Sequence, residues 1–560
     1  MDNKSCNTGA TLTELTKTRT IEAATKEYLD ENTISTVADI LNIEAGVLSK
    51  VHEKFDEHNA LCSKDKKWKI PDTLSFSQIF LIMTSIFVIR NVRPCTQSNL
   101  SDNDLLGIYI DKNIIELLGS YEDKEGLFCT DEIIIHDIAR QAFNFSITTG
   151  ELRELVNALK EYGAKHKVLR CNNPDYVAVR NGIFDYATKE LMEFSPEHVF
   201  LTKSNVAYNP NTTNVTIHNP QDNTDWDVES WMESLSDDPE IVQLLWEICG
   251  AVIRPNVRWN KSAWMVSEAG NNGKGTLCEM MRQLCGDGVC ASISLAEFSK
   301  EFALEPLLTA QAIIVDENDV GTFIDKAADI KAIVTQDVIT INRKFKPRIS
   351  FQFKGFMVQC LNETPRIKDK SDSFFRRQIY IPMDKCFTGV ERKYIKNEYI
   401  HREDVLEYVM FRVLNMNYYS LSEPERCKTA LDEFKMANDP IRTFWDEFRS
   451  EFVWDVLPNK FLYALYKSWY EKYNESGKPL NLVNFKDALK NVTKDDELWQ
   501  FKVGQNLSDS KAEMSKPELL IIEYNLADYK SSRYRGANPD RLAEYDKIAS
   551  HYNQCWVRRV

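Results

Sequence analysis

The sequence predicts a multidomain α/β protein with a largely parallel sheet, on three observations. The chain has 560 residues and 43% of them are hydrophobic, enough for several cores at about 100–200 residues per domain. Between about Trp226 and Tyr419, short apolar runs such as Ala263–Ser267 and Ala312–Asp316 alternate with helical stretches, the pattern of strands buried on both faces. A glycine-rich loop from Ser267 to Thr276 stands between one of these strands and an amphipathic helix, Leu277 to Leu284, and such loops serve ligands at strand ends.

Composition narrows the class. With 69 Lys+Arg against 84 Asp+Glu the net charge is −15, which excludes a uniformly basic nucleic-acid binder but not an acidic enzyme with local basic patches. The 13 cysteines and 8 histidines are scattered without a C-x-x-C pair, so zinc ribbons and c-type haem attachment have no support. An odd cysteine count and no signal-peptide core point to free thiols in a reducing cytoplasm. The most apolar run, Ile79 to Ile89, is too short to span a bilayer and reads as a buried helix.

Taken in order, the first hundred residues read as helical. Val37, Ile40 and Leu41, then Val47, Leu48 and Val51, suggest a helix-turn-helix or, more simply, a helical hairpin. From Asp102 to Val228 helices mix with short strands. Asn181-Gly182, followed by Asp185 and Thr188, predicts a tight turn between two strands, a hairpin. The stretches Asn209–Asn214 and Asn219–Thr224 make the best linker candidate. Beyond Glu433 a polar, aromatic segment carries a helix over Asn459–Tyr473, a turn at 476–479, a helix near Leu482–Val492 and a strand at Leu498–Val503.

The loop Ser267-Glu-Ala-Gly-Asn-Asn-Gly-Lys-Gly-Thr276 has the chemistry to hold a phosphate chain. Gly270 and Gly273, with Asn271, Asn272 and Gly275, let backbone N–H groups curl round phosphate oxygens, and the helix N-terminus adds its dipole. Lys274 is placed to reach the β and γ phosphates, with a hydroxyl to hold Mg²⁺. The usual first glycine is Glu268 here, and the residue after the lysine is Gly275, with the hydroxyl one later at Thr276. Without its context, the same string is a glycine turn with a surface lysine.

About 40 residues on, the apolar run ends in Asp316 and Glu317. The first is suited to orient Mg²⁺ and the second to polarise an attacking water; by itself this is also an ordinary acidic turn. Another apolar run, Phe356–Leu361, ends in Asn362, whose amide can align that water or sense the γ-phosphate. Arg376 and Arg377 follow, permanently charged forks that match phosphate geometry and suit a finger acting on a neighbour's nucleotide. The alternative for them is an ion pair with Asp369 or Asp372. Between Val338 and Leu361 lie Arg343, Lys344, Lys346, Arg348 and Lys354 and no acidic residue. The flanks alternate as in a hairpin, so this is a basic tip able to track phosphates, with Phe345 able to contact a base or sugar.

Taken together, G-N-N-G-K-G-T, I-I-V-D-E-N, C-L-N-E-T-P and D-x-S-x-x-F-x-R-R-x-x-x-I-P resemble superfamily 3 helicases, nearest to the phage/plasmid primase–helicases related to the poxvirus type. The segment from Arg180 to Pro210 resembles the domain that precedes their motor. The resemblance implies an AAA+-type P-loop ATPase core at residues 226–425, preceded by a helical or mixed region at 1–100 and an α+β domain at 101–225. A winged-helix-like domain at 433–560 follows, with Lys530, Arg533 and Arg535 as a basic wing. It implies ATP and Mg²⁺ as cofactors, with Thr276 and Asp316 at the metal. It further implies a ring, a hexamer, moving 3′-to-5′ on single-stranded and forked DNA, with no membrane, in the cytoplasm of a host bacterium. The basic tip falls where the family's pore hairpin lies. The first hundred residues are short for a primase domain and carry no D-x-D strand motif, so priming is not expected of them. Docking a separate primase or a host replication protein, or recognising an origin, is. The alternative activity is a DNA-dependent ATPase that loads or initiates without unwinding, or an origin-binding scaffold.

Overall fold

The computed structural model describes residues 12–93, 104–143, 148–267, 270–286, 288–319, 322–324, 327–369, 371–473, 479–503, 516–530 and 554–559. The chain divides into two compact units, Met1–Lys428 and Thr429–Val560.

The first unit begins with helices Leu12–Glu31 and Val37–Ala60. A capping box starts the second: Thr36 accepts from the Asp39 N–H at 3.2 Å, and the Asp39 carboxylate accepts from the Thr36 N–H at 2.9 Å. Residues 36–51 are therefore part of one unbroken helix, neither a helix-turn-helix nor a hairpin in themselves. Its buried stripe runs Val37, Ile40, Ile43, Val47, Val51 and Phe55, which joins members of both apolar groups on one face and leaves Leu41 exposed. Gly46 does not interrupt it. A β-carbon there would lie 2.1 Å from the Tyr28 hydroxyl, so the glycine is where the preceding helix packs closest. The apolar run near residue 80 forms the helix Phe76–Ile86, which precedes the strand Ile89–Arg93. That strand sits in a four-stranded sheet with Leu105–Tyr109, Phe128–Cys129 and Lys167–Leu169, and the helices Glu132–Ala142 and Thr149–Lys165 pack on the same core.

Antiparallel strands Tyr176–Val179 and Gly182–Asp185 meet at the Asn181-Gly182 turn. Asn181 fixes it by donating to the Tyr208 carbonyl at 3.1 Å and accepting from the Tyr208 N–H at 2.9 Å. Asp185 accepts from the Ala187 N–H at 2.9 Å to start the next turn. The stretch read as a linker is ordered: Ile217–Asn219 and Thr224–Trp226 pair as a hairpin, and Ile217 and Trp226 enter the main core. Its Asn and Asp residues close turns, as in Asn219 accepting from the Gln221 N–H at 2.8 Å. Turn chemistry and linker chemistry use the same residues, so composition did not separate them.

The main core surrounds a five-stranded sheet. Its strands are β1 (Ser262–Val266), β2 (Cys290–Ala291), β3 (Ala312–Val315), β4 (Phe356–Leu361) and β5 (Gln378–Pro382). They lie in the order β2-β3-β4-β1-β5, all parallel. Every residue of β3 and β4 is buried, the burial on both faces that parallel sheets need. Helix α1 (Lys274–Cys285) follows β1, and the helix Pro239–Ile253 is buried along most of its length. Between β3 and β4 the strands Val338–Arg343 and Lys346–Gln352 form an antiparallel hairpin anchored by buried Ile339, Ile341, Ile349 and Phe351.

The second unit has helix Pro440–Phe448, strand Val456–Pro458, helices Asn459–Tyr473 and Leu482–Val492, then strands Trp499–Val503 and Gln554–Arg558. Its sheet places the last strand between the other two, antiparallel to both. Trp445, Trp454, Trp499 and Trp556 fill its core, and Trp445 donates to buried Asp496 at 2.6 Å. Lys530 donates to Asn525 at 2.7 Å. Residues 476–478, Arg533 and Arg535 lie outside the described residues. Among the described residues no helix is long and apolar enough to cross a membrane.

Candidate nucleotide site

The loop after β1 stands at the carboxyl end of the sheet, where open α/β sheets bind ligands. The Ser267 N–H continues the ladder to the Leu361 carbonyl at 3.1 Å. Asn271 has φ 55° and Gly273 φ 85°, left-handed conformations that turn the chain into α1. A β-carbon on Gly273 would lie 2.5 Å from Leu235 Cδ2, so only glycine fits there. The loop is tied down from a distant segment: Asn271 donates to Glu391 at 2.8 Å, and its carbonyl accepts from the Phe387 N–H at 2.8 Å. Glu268 and Ala269 lie outside the described residues.

Lys274, the first residue of α1, is 5% exposed. Its Nζ lies 3.4 Å from the Ser267 carbonyl, and among the described residues no carboxylate pairs with it. Burial lowers its pKa, a sign of what an uncompensated ammonium costs in this place. Close by, the free thiols of Cys278 and Cys360 lie 3.3 Å apart, Sγ to Sγ. Their contact and then burial push the Cys360 thiol well above its ordinary range, so it does not compete as an anion. A cavity of about 920 Å³ opens beside the loop, with Trp226, Trp231, Gly273, Thr276, Phe387 and Lys396 in its walls.

Asp316 and Glu317 leave the end of β3, both exposed. Burial opposes the charge on Asp316, but Arg282 outweighs it, with a smaller contribution from Lys396, and the carboxyl stays below its ordinary value. Arg282 lies two turns along α1 from Lys274 and donates to Asp316 at 3.1 Å and to the Ile314 carbonyl at 3.3 Å. The next residue, Asn318, is 2% exposed. It accepts from the Leu295 N–H at 2.9 Å and donates to Gln359 at 3.0 Å and to the Cys360 carbonyl at 2.9 Å. Gln359 in turn donates to the Ile293 carbonyl at 3.1 Å. These bonds lock the end of β3 to the end of β4, from which half-buried Asn362 emerges. Loop, carboxylates and amide thus leave the same ends of three adjacent strands.

Arg376 and Arg377 are elsewhere. They immediately precede β5, whose Gln378 is in register with Ser262 at the start of β1, and the Arg377 carbonyl accepts from the Ser262 N–H at 2.8 Å. One strand length of five residues, roughly 16 Å, separates that end of the sheet from the loop. Asp369, an alternative partner for these arginines, is held by Lys331 at 2.6 Å. Arg376 is exposed, whereas Arg377 is half-buried, donates to the Ser373 carbonyl and leaves its Nε without a partner among the described residues.

The hairpin carries Lys344, Phe345, Lys346 and Arg348 as exposed residues at or near its tip. Arg343 folds back on the Pro347 carbonyl at 2.9 Å. Phe345 is 95% exposed with φ 59°, an unfavourable state for an aromatic residue in water. Arg282 and Asn318 were given no role from the sequence, although Asn318 closes the I-I-V-D-E-N string and Arg282 lies in the helix after the loop. Lys396 had no sequence signal at all.

Three family models match parts of the chain. A family of unknown function, DUF5906, covers residues 265–377. A model described as D5 N terminal like covers 133–250, and one described as poxvirus D5 protein-like covers 436–531. The chain is a relative of the D5-like primase–helicases. This relationship supports a replicative helicase-type function. No curated protein matches the D5-like chain. Among solved structures, an apo form of the NrS-1 C-terminal region aligns over 88% of this chain and 100% of its own, at 12% identity and a TM-score of 0.39. A shorter apo form, NrS-1 residues 305–718, aligns over 75% and 94%, at 11% identity and a TM-score of 0.41. JCV helicase aligns over 37% and 58%, at 14% identity and a TM-score of 0.24. At these scores the alignments decide nothing about the fold of this chain.

Proposed function

We propose that this D5-like protein is an ATP-dependent DNA helicase that serves replication of a phage, plasmid or other mobile element. On this reading it moves 3′-to-5′ on single-stranded DNA as a hexameric ring, in the cytoplasm of the host. One observation carries the reading: a buried Lys274 with no carboxylate partner among the described residues, the Asp316–Glu317 carboxylates and Asn362 leave the carboxyl ends of adjacent parallel strands around one glycine-rich loop.

The residues fit a nucleoside triphosphate. Lys274 is an ammonium in want of an anion, the loop N–H groups and the dipole of α1 suit phosphate oxygens, and the cavity has aromatic walls for the nucleoside. For Mg²⁺ the fit is partial: Asp316 and Thr276 would hold it, but no hydroxyl follows Lys274 directly. When bound, ATP supplies the γ-phosphoryl group and the cation neutralises part of its charge. The chain's own residues do the rest. Lys274 binds the phosphate tail, Glu317 takes the proton of the attacking water, Asn362 orients that water, and Arg282 fixes the Asp316 carboxylate. Arg376 or Arg377, a strand length away, serves the site of a neighbouring subunit, where a permanently charged fork stabilises the transition state. The hairpins move with the nucleotide state and draw the strand along by phosphate contacts from Lys344, Lys346 and Arg348 and base or sugar contact from Phe345. The second unit, read as a winged-helix-like domain, serves as a further DNA contact; its three-stranded sheet with the helices Asn459–Tyr473 and Leu482–Val492 supports that reading.

The test is unwinding of a forked DNA with a 3′ single-stranded tail, with ATPase rates from the same preparations of wild type, Lys274→Ala and the Arg376→Ala/Arg377→Ala double variant. Unwinding that requires ATP and is lost in both variants is expected. ATP turnover without unwinding would replace the proposal with a loader or initiator, and no turnover would replace it with a scaffold.

A further inference from the structure

We infer that Lys396 is a nucleotide-binding residue of this site, its ammonium supplying at the first turn of α1 the positive charge missing where Gly275 takes the place of a hydroxyl residue. The inference rests on the nucleotide reading above. A β-carbon built on Gly275 would lie 3.3 Å from Lys396 Nζ. A divalent cation held by a hydroxyl at this position would stand about 2.1 Å from that oxygen, within the same few ångströms of the β-carbon. The ammonium therefore occupies the neighbourhood in which such a cation would sit. The glycine and the lysine are reciprocal: any side chain at 275 would crowd the ammonium, and without the ammonium the glycine leaves the turn with less charge than phosphate binding wants.

The lysine is held where it can act. It belongs to the short helix Lys393–Asn397. The preceding Tyr394 donates to Asp222 at 2.7 Å, and Ile395 packs against the main core. The Lys396 carbonyl lies 3.0 Å from His401 Nε2. The side chain is exposed, lines the same cavity as Thr276 and Gly273, and has no carboxylate partner among the described residues. Its charge is felt at Asp316. An ammonium so placed can meet a phosphate oxygen and the acidic strand end together, which one hydroxyl cannot do without a metal ion.

The experiment is calorimetric binding of ATP to the full chain, once with Mg²⁺ and once in EDTA, for wild type, Lys396→Met, Lys396→Arg and Lys274→Ala. Wild type is expected to keep measurable affinity in EDTA. Lys396→Met should lose about tenfold or more in EDTA, as for one charge-assisted contact removed, and markedly less with Mg²⁺, while Lys396→Arg should recover much of the loss. Equal affinity of wild type and Lys396→Met in EDTA, or an equal loss with and without Mg²⁺, would overturn the inference and leave the nucleotide reading intact, provided Lys274→Ala abolishes binding. Failure of wild type to bind ATP in either buffer would overturn the nucleotide reading, and this inference with it.

Discussion

Replacing Asn318 with alanine should cost more than any exposed site residue, because the amide ties together three buried groups. The substitution leaves the Leu295 N–H, the Gln359 side-chain oxygen and the Cys360 carbonyl without the partners they now have at 2.9, 3.0 and 2.9 Å. Each buried group so orphaned costs about 1–3 kcal/mol. Partial relaxation leaves a net loss of about 3 kcal/mol, which at an m-value of roughly 3 kcal/mol/M lowers the urea midpoint by about 1 M. Fluorescence-monitored urea unfolding of the full chain reads it. ATPase turnover without denaturant should fall as well, since Asp316 and Glu317 sit two residues and one residue before the lost anchor. Asn318→Asp is the sharper variant. It keeps the acceptor for Leu295 but sets a carboxylate against the Gln359 and Cys360 oxygens, so it should be at least as destabilising. A midpoint shift below about 0.2 M for either variant would refute the reasoning.

Three further outcomes follow from the same geometry. Gly273→Ala should abolish ATP binding in calorimetry while the circular dichroism of the fold persists, because φ 85° and the approach of Leu235 both exclude a β-carbon. Lys344→Ala/Lys346→Ala should reduce the slope of log affinity against log salt for single-stranded DNA by about 1.4, two phosphate contacts at roughly 0.7 each, whereas Phe345→Ala should weaken binding at all salt concentrations with the slope unchanged. Lys354 is buried, and burial followed by the nearby Arg170 lowers its pKa to about 8 from 10.5. Between those values the unfolded chain holds more protons than the folded one, so this group's contribution to stability rises with pH from about 8 to about 10.5. Wild type should therefore gain stability relative to Lys354→Met across that window in parallel thermal melts, and a constant difference between the two would refute it.

Much of the candidate site's layout was legible because its signals are local. A glycine needed for a left-handed turn, a lysine opening a helix and a strand ending in carboxylates are each written within ten residues. The hairpin was legible for the same reason, from its alternation and its tip. What was not legible is set by tertiary contact. Val37 to Val51 reads as two groups, yet one helix carries both, and Tyr28 fills the space that Gly46 leaves. The asparagine-rich stretch before Trp226 reads as a tether, yet its side chains close turns against the core. Arg282 acts through a contact between helix and strand, Asn318 across two strands, and Lys396 from a helix about 120 residues beyond the loop. No period or spacing announces these contacts, although Asn318 itself stands in a motif. Gly275 looked like a defect in the loop until the ammonium beside it was in view.

The separation of Arg376 and Arg377 from the loop has a consequence for mixtures. On the proposed reading, each catalytic centre is assembled from the loop end of one chain and the arginine end of the next, a head-to-tail contact. A chain with Lys274→Ala has lost its own centre but still offers a sound arginine end, and a chain with both arginines replaced has the reverse defect. Two dead proteins mixed in equal amounts would thus rebuild complete centres at about a quarter of their junctions if the chains assort at random. Activity would then belong to the junction rather than to the molecule, and would vanish on dilution while every chain remained folded.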